Sequence, residues 1–319
     1  SLQDRINLTS KRSVIATTGT VIYSLITVKL VTALGGDDMG RGYLYVFILY
    51  AVFGILGYWV TAHVAKDYDL YKVDAPAAAN EAVKKKGKKE KEYPKSVYLS
   101  SFFKNPPVMM LFFGDLMKAT ASMLYVGSIS YYLINCVGNI GAMTAFLFTA
   151  NVSMLLGSWC APFFAKRLGK KRCNIIAYGG FALGLILGAF IGVGTAWGIT
   201  ACIGFGRFFS GLNASLSPAM YSDIGDYYEN KTGYKLHAYL LTFFSLNFSV
   251  AQLFTGTIIA ACLAAVGYDA ALAVTQSQMN MMLYLTTIIP GIPLALGAIV
   301  NLFYPLTEEK MEDIHKELE

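Results

Sequence analysis

The sequence predicts an all-α fold, a polytopic bundle of membrane-spanning helices. Three observations lead there. The 319 residues are 55% hydrophobic and only 14% charged, where a soluble domain carries about 25% charged residues. Apolar runs recur at the length a bilayer demands, about 20 residues per helix. In lipid the backbone must satisfy its own hydrogen bonds, so runs this long without strand-like alternation are helices. Finally, the basic residues sit between the runs and on alternate connectors. Of the 26 lysines and arginines, 22 fall in segments 1–12, 66–105, 166–172, 222–237 and 305–319, and Arg41 alone falls in the opposite set. That asymmetry predicts that these five segments, including both ends of the chain, are cytoplasmic. The formal net charge of +6 is then a mark of topology, and no nucleic-acid partner is expected.

Eight spans follow, near 13–35, 42–65, 107–135, 140–165, 173–195, 197–221, 238–267 and 279–304. The first two are joined by a connector holding Arg41. The long connector 66–105 contains AAANEAVKKKGKKEKEYPK, a low-complexity, charged stretch expected to be a flexible, solvated linker. Its end, Ser96–Asn105 (SVYLSSFFKN), mixes aromatic and polar residues and predicts a short helix along the interface. The fifth span places Gly180, Gly184, Gly188 and Gly192 on one face, a stripe that lets a neighbouring helix approach closely. Ser222–Ala238 (SDIGDYYENKTGYKLHA) is expected as a solvated, helix-prone connector. In the last span Pro290 and Pro293 predict a kink. Lys310–Glu319 reads as a short charged helix beyond the membrane.

Ionisable residues inside spans are costly and therefore functional candidates. Asp115 and Lys118 lie three apart on one helix, with Ser122 and Tyr125 continuing the face. They read either as a self-neutralising pair or as part of a cavity. Arg207 has Ser210, Ala214 and Ser217 at the same spacing, with Asn213 alongside. Lys29 lies near the outer end of its span and is expected to snorkel. The seventh span carries a polar stripe of Thr242, Ser245, Ser249, Gln252 and Gly256. One serine can satisfy itself on its own backbone; five small or polar residues in register indicate a water-accessible face. Cys136, Cys160, Cys173, Cys202 and Cys262 are scattered, with no disulfide or metal spacing. No phosphate-binding loop, HExxH or nucleophile elbow occurs, so no enzyme, no metal and no cofactor are expected.

The segment YSDIGDYYENKTG resembles the loop between helices ten and eleven of the glycoside–pentoside–hexuronide:cation symporters, the melibiose-carrier type within the major facilitator superfamily. The family pattern is matched by Asp223, Asp226, Tyr227, Glu229, Lys231, Thr232 and Gly233, with Pro218 upstream. FFKNPPVMML, AKRLGKKR, YPLTEEKMEDIHKEL and the opening LTSKRSVIATTG fit in the same order. The resemblance implies twelve helices in two halves, of which this chain supplies helices five to twelve, the first four lying outside it; the absence of an initiator Met agrees. It divides the chain into 1–65 (the last two helices of the first half), 66–105 (middle loop), 106–304 (second half) and 305–319 (tail). It implies symport of a sugar or glycoside with Na⁺ or H⁺ by alternating access, in a monomer in the cytoplasmic membrane. The coupling-cation carboxylates lie on helices two and four of the family, outside this chain.

By position, Arg12 matches a sugar-contacting arginine at the start of helix five. Ala214 stands where the melibiose carriers have a tryptophan, and Ser249 where they have a lysine. Phe244 and Ser245 align with further sugar contacts. Ser249 in place of a cation favours a neutral sugar or glycoside over a uronate, unless Arg12, Lys118 or Arg207 supplies the charge. The expected substrate site is thus Arg12, Asp115, Lys118, Arg207, Asn213, Ala214, Thr242, Phe244, Ser245, Ser249 and Gln252. The loop is expected to close an inner gate, with Asp223, Asp226 and Glu229 opposite Lys166, Arg167 or Arg12 and with Lys231 among them. Exposed pairs worth about 0–1 kcal/mol break easily in each cycle. Competing readings keep the fold but carry another polar solute, or make the protein a non-transporting scaffold or sensor.

Overall fold

The computed structural model describes residues 2–36, 38–67, 93–138, 142–191, 194–269 and 272–318. Among them the chain is helical, without a strand. Two long helices, α1 (Leu2–Gly35) and α2 (Met39–Asp67), precede a short α3 (Lys95–Phe103). Then come α4 (Pro106–Asn135), α5 (Ala142–Leu168), α6 (Lys170–Ile191), α7 (Ala196–Thr232) and α8 (His237–Ala265). The chain ends with α9 (Gln276–Thr286), α10 (Ile288–Leu302) and α11 (Glu308–Leu318). Among the described residues seven stretches are long and apolar enough to cross a membrane: α1, α2, α4, α5, α6, α8, and α9 with α10 taken together. Most of the charged linker, 68–92, and Gly192 of the glycine stripe lie outside the described residues.

The span expected at 197–221 is in α7, which is not among the seven. It buries Arg207, Ser210, Asn213, Ser215 and Ser217 and packs between α5, α6 and α8. Neighbouring helices, not lipid, shield its polar groups. Over Ser222–Ala238, expected to be helix-prone and solvated, the helix forms but its inner face is buried. It continues to Thr232 and stops at Gly233, whose φ of 74° lets its N–H reach the Glu229 carbonyl, the usual left-handed helix end. The reason is apolar: Tyr221, Ile224, Gly225 and Tyr228 recur at helical spacing and are buried. Asp223 and Asp226 are buried with them and are carried by ion pairs described below.

The glycine stripe packs as expected. A Cβ on Gly184 would sit 2.5 Å from the Gly206 Cα, and one on Gly188 would sit 3.2 Å from Thr287. At the other end of the chain the expected kink becomes a break. Pro290 cannot donate to the carbonyl four residues back, at Thr286, and its ring clashes there. Thr287 accordingly leaves the helix with φ −125° and ψ −74°, separating α9 from α10. The N-terminus of α9 is secured by a reciprocal cap between Thr275 and Gln278.

Contacts group the chain into two units, Ser1–Ser24 with Leu99–Glu319, and Leu25–Tyr98. In the larger unit Ile6 is buried among Ala161, Ala177, Leu212 and Leu216, and the Ser10 hydroxyl donates to the Ser158 carbonyl at 2.5 Å. These contacts bind the start of α1 to α5 and α7. A second core joins Tyr125, Ile129, Phe146, Tyr178, Phe181 and Leu185 from α4, α5 and α6. In the smaller unit Thr27 and Tyr50 share a hydroxyl–hydroxyl bond of 2.8 Å, and Gly42 lies against the Val31 backbone. Phe47, Ile55 and Trp59 are exposed along α2, apolar surface of a kind that water does not favour and lipid does.

Candidate functional site

Three polar constellations lie in the larger unit. The deepest centres on Asp115 of α4. Its carboxylate accepts from the Tyr178 hydroxyl at 2.7 Å, from the Asn213 amide at 3.5 Å, and from the Ser217 hydroxyl. Asn213 also donates to Asn174 at 2.7 Å, and Asn174 to Asn301 at 3.1 Å. A chain of polar groups thereby links α4, α6, α7 and α10. Burial without partners would cost several kcal/mol per group, which is why buried polar atoms are paired. Gly114 makes the room, since a Cβ there would land on the Asn301 amide. Of the two readings left open for Asp115 and Lys118, the direct pair is not seen: among the described residues no ion pair joins them. The carboxylate turns instead toward α6 and α7, where three donors converge. Asp115, Lys118 and Asn213 are buried and lie in the packed interior, outside the cavity lining.

The second constellation is a cavity of about 420 Å³ between α1, α5, α7 and α8. Arg12, Arg207, Asn151, Ala214, Phe244 and Phe248 face it. Of the expected substrate set, then, Arg12, Arg207, Ala214 and Phe244 come together. The small side chain of Ala214 leaves space where a tryptophan would fill it, and Phe244 and Phe248 supply an aromatic wall. An adjoining opening of about 700 Å³ shares Thr9, Arg12, Ala16 and Pro218 with it. One wall was missed from sequence: Thr9, Ser13, Thr17 and Thr20 of α1 all face the cavity. Their spacing of three or four was readable as a hydroxyl stripe beside Arg12.

The stripe on α8 lies elsewhere. Thr242, Ser245, Ser249 and Gln252 are exposed and do not line the cavity, while Phe243, Asn247, Ala251 and Thr255 form the buried face. Thr242 and Ser245 donate to the carbonyls of Tyr239 and Thr242, at 2.6 and 2.9 Å, so each hydroxyl is satisfied on its own helix.

The third constellation is an ionic knot at the end of α7. Asp226 accepts from Arg5 at 2.5 Å and pairs with His237 Nε2 at 2.7 Å; His315 Nε2 lies 3.1 Å away. Asp223 pairs with Lys170 and, at 3.4 Å, with Arg5. Glu229 pairs with Lys235 at 3.0 Å. The expected gate cations are not the ones used. Lys166 and Arg167 are exposed on the last turn of α5, and Arg167 lies over the Phe163 ring. Lys231 lies over the Tyr227 ring, and Arg12 faces the cavity. Gly169, with φ 76°, turns the chain so that Lys170, not its neighbours, reaches Asp223. The Glu308 carboxylate accepts from the Lys170 N–H at 2.8 Å, which ties the start of α11 to the N-terminus of α6.

Burial alone would raise the Asp226 carboxyl, but hydrogen bonds from His237 and Arg5 outweigh it and hold the group at about 2. A carboxylate held low contributes stability that is complete above its ordinary value and lost as pH falls through the lowered one. Asp226→Asn is therefore expected to cost about 1–3 kcal/mol. In detergent, its melting deficit should be the same at pH 7 and pH 5 and should shrink only below about pH 4. A deficit already gone at pH 5 would contradict the assignment.

The fold defines a polytopic α-helical membrane protein with a solute-sized polar cavity in its larger unit. A family profile described as MFS/sugar transport protein matches residues 1–308, and the chain belongs to that family. It is 24% identical to an uncharacterized symporter, YjmB, of Bacillus subtilis (strain 168), over 98% of this chain and 66% of that protein. It is 23% identical to an isoprimeverose transporter of Lactiplantibacillus pentosus, over 95% of this chain and 60% of the other. It is 22% identical to a glucuronide carrier protein homolog of Escherichia coli (strain K12), over 70% of this chain and 49% of the other. The chain thus spans between 49% and 66% of the length of these relatives.

Proposed function

We propose that the chain serves secondary active transport, moving a sugar or glycoside by alternating access in symport with Na⁺ or H⁺. The observation that carries this reading is the 420 Å³ cavity, which combines guanidinium, hydroxyl and aromatic surfaces away from the packed core. Sugars are bound in this way, by hydrogen bonds at their edges and flat apolar contact at their faces. The names of the relatives, a symporter, a sugar transporter and a carrier, support the same class of activity. The knot at the end of α7 supplies an inner gate with corrected partners, Arg5 and Lys170 in place of Lys166 and Arg167. It ties α1, α6, α7, α8 and α11 at one end, so opening there requires its ion pairs to part. In this reading the knot faces the cytoplasm from the cytoplasmic membrane, the coupling cation binds outside this chain, and the protein works as a monomer.

The reading is tested by uptake in proteoliposomes containing the full protein and an imposed Na⁺ or H⁺ gradient. Arg12→Ala and Phe244→Ala, both on the cavity lining, are each expected to cut uptake at least about tenfold while leaving the amount of folded protein unchanged. Wild-type rates in both variants would remove these residues from the solute path. Gradient-independent, saturable retention of a protein partner, with no uptake of any sugar, would favour a scaffold.

A further inference from the structure

Among the described residues, Arg207 is the buried cation of this cavity, and no ion pair joins it to a carboxylate. Arg207 is 9% exposed. It lies 11 residues from the start of α7 and 16 from Asp223, about 16 and 24 Å along the helix, too far from either end for its head to snorkel out. A guanidinium carries five N–H donors. Its partners among the described residues are neutral: the Ser210 hydroxyl at 3.2 Å, the Met154 sulfur at 2.7 Å and the face of Tyr125 with its centre 5.7 Å away. Its Nε is buried with no partner among the described residues. The carboxylates buried among the described residues of the larger unit are engaged elsewhere: Asp223 and Asp226 in the knot with Arg5, Lys170 and His237, and Asp115 with Tyr178, Asn213 and Ser217. A buried charge without partners is strongly unfavourable, yet this one faces a cavity open to a solute.

We propose that Arg207 is a specificity-determining residue of this cavity and that the solute it selects carries an anionic group, a carboxylate or a sulfonate. The inference rests on the transport reading above and narrows it. Both groups present two or three coplanar or clustered oxygens that the guanidinium fork can grip in pairs, and either would neutralise the Arg207 charge. Arg12, exposed on the opposite wall of the same cavity, adds attraction of the same sign. This reverses the preference for a neutral sugar drawn from Ser249: that position faces away from the cavity, so its lack of charge says nothing about what the cavity holds.

The test is direct binding to the full protein in detergent, with four probes: methyl β-D-glucuronide, the matching 6-sulfonate, methyl β-D-glucoside and propane-1-sulfonate. The wild type is expected to bind one or both acidic sugars at least about tenfold more tightly than the glucoside. Arg207→Met should bring that ratio close to one, and Arg207→Lys, which keeps the charge without the fork, should retain part of it. The lysine variant also keeps the test decisive should the methionine variant not fold. A glucoside bound as tightly as the acids, or a ratio that survives both substitutions, overturns the proposal while leaving sugar transport standing. Tight binding of propane-1-sulfonate equal to that of the acidic sugars, lost in Arg207→Met, upholds the role of Arg207 and overturns the sugar reading instead. No binding of any probe overturns both.

Discussion

Replacing Gly157 with valine is expected to abolish the folded bundle. A Cβ on Gly157 would land on the Phe208 carbonyl oxygen and lie 3.2 Å from the Gly211 Cα. The crossing is reciprocal, because a Cβ on Gly211 would land on the Met154 carbonyl oxygen and lie 2.8 Å from the Ser158 nitrogen. Backbone atoms cannot rotate aside as a long side chain can, so α5 and α7 would have to separate. Separation would also break the Ser158 hydroxyl bond to the Gly211 carbonyl, 3.1 Å long, and disturb the bonds from Ser10 and Ser13 to Ser158. The summed loss is expected to exceed about 4 kcal/mol, the range reserved for severe core defects. The control is Gly179→Ala on α6, where nothing lies within 4 Å of the added carbon. It should stabilise by up to about 1 kcal/mol through helix propensity. Equal melting temperatures for the two variants in detergent would show that this crossing is not as tight as described.

Asp115→Leu ranks second. It strands Tyr178, Ser217 and Asn213 without their shared acceptor and leaves Lys118 without the nearest negative charge. Removing one member of a buried charged network costs about 3–5 kcal/mol, because the members left behind remain buried and unpaired. Asp115→Asn keeps one acceptor oxygen in place and is expected to cost about half as much. The order wild type, Asn, Leu in melting temperature is the signature. An Asp115→Leu protein that melts with the wild type would mean that water, not the carboxylate, satisfies those donors.

Much of this architecture was legible in the amino acids because bilayers impose long apolar runs and the glycines of α6 repeat every fourth residue. Other parts were legible but misread. Tyr221, Ile224, Gly225 and Tyr228 already spell a buried helix face, but the density of charge around them pointed to a solvated connector. The hydroxyls at Thr9, Ser13, Thr17 and Thr20 are in register too, on the same cavity wall as Arg12. The remainder could not be read locally. Arg5 and Asp226 are separated by 221 positions, and nothing near either residue names the other. Lys170 differs from Lys166 only in lying beyond a glycine turn. Asp115 and Lys118 have the spacing of a pair, and only the donors arriving from two other helices decide that the carboxylate points away. The cavity shows the same logic: Arg12 and Arg207 meet there although no local pattern relates them.

Helix α7 runs for 37 residues with Pro218 inside it, between Arg207 and Asp226, which lie about 28 Å apart along the axis. Proline removes one backbone hydrogen bond, so the helix bends most easily there. A bend of about 10° at Pro218 would carry Asp226 through about 2 Å, more than a hydrogen bond tolerates. Under the transport reading, Pro218 is the point at which the cavity and the ties to Arg5, His237 and Lys170 can move apart.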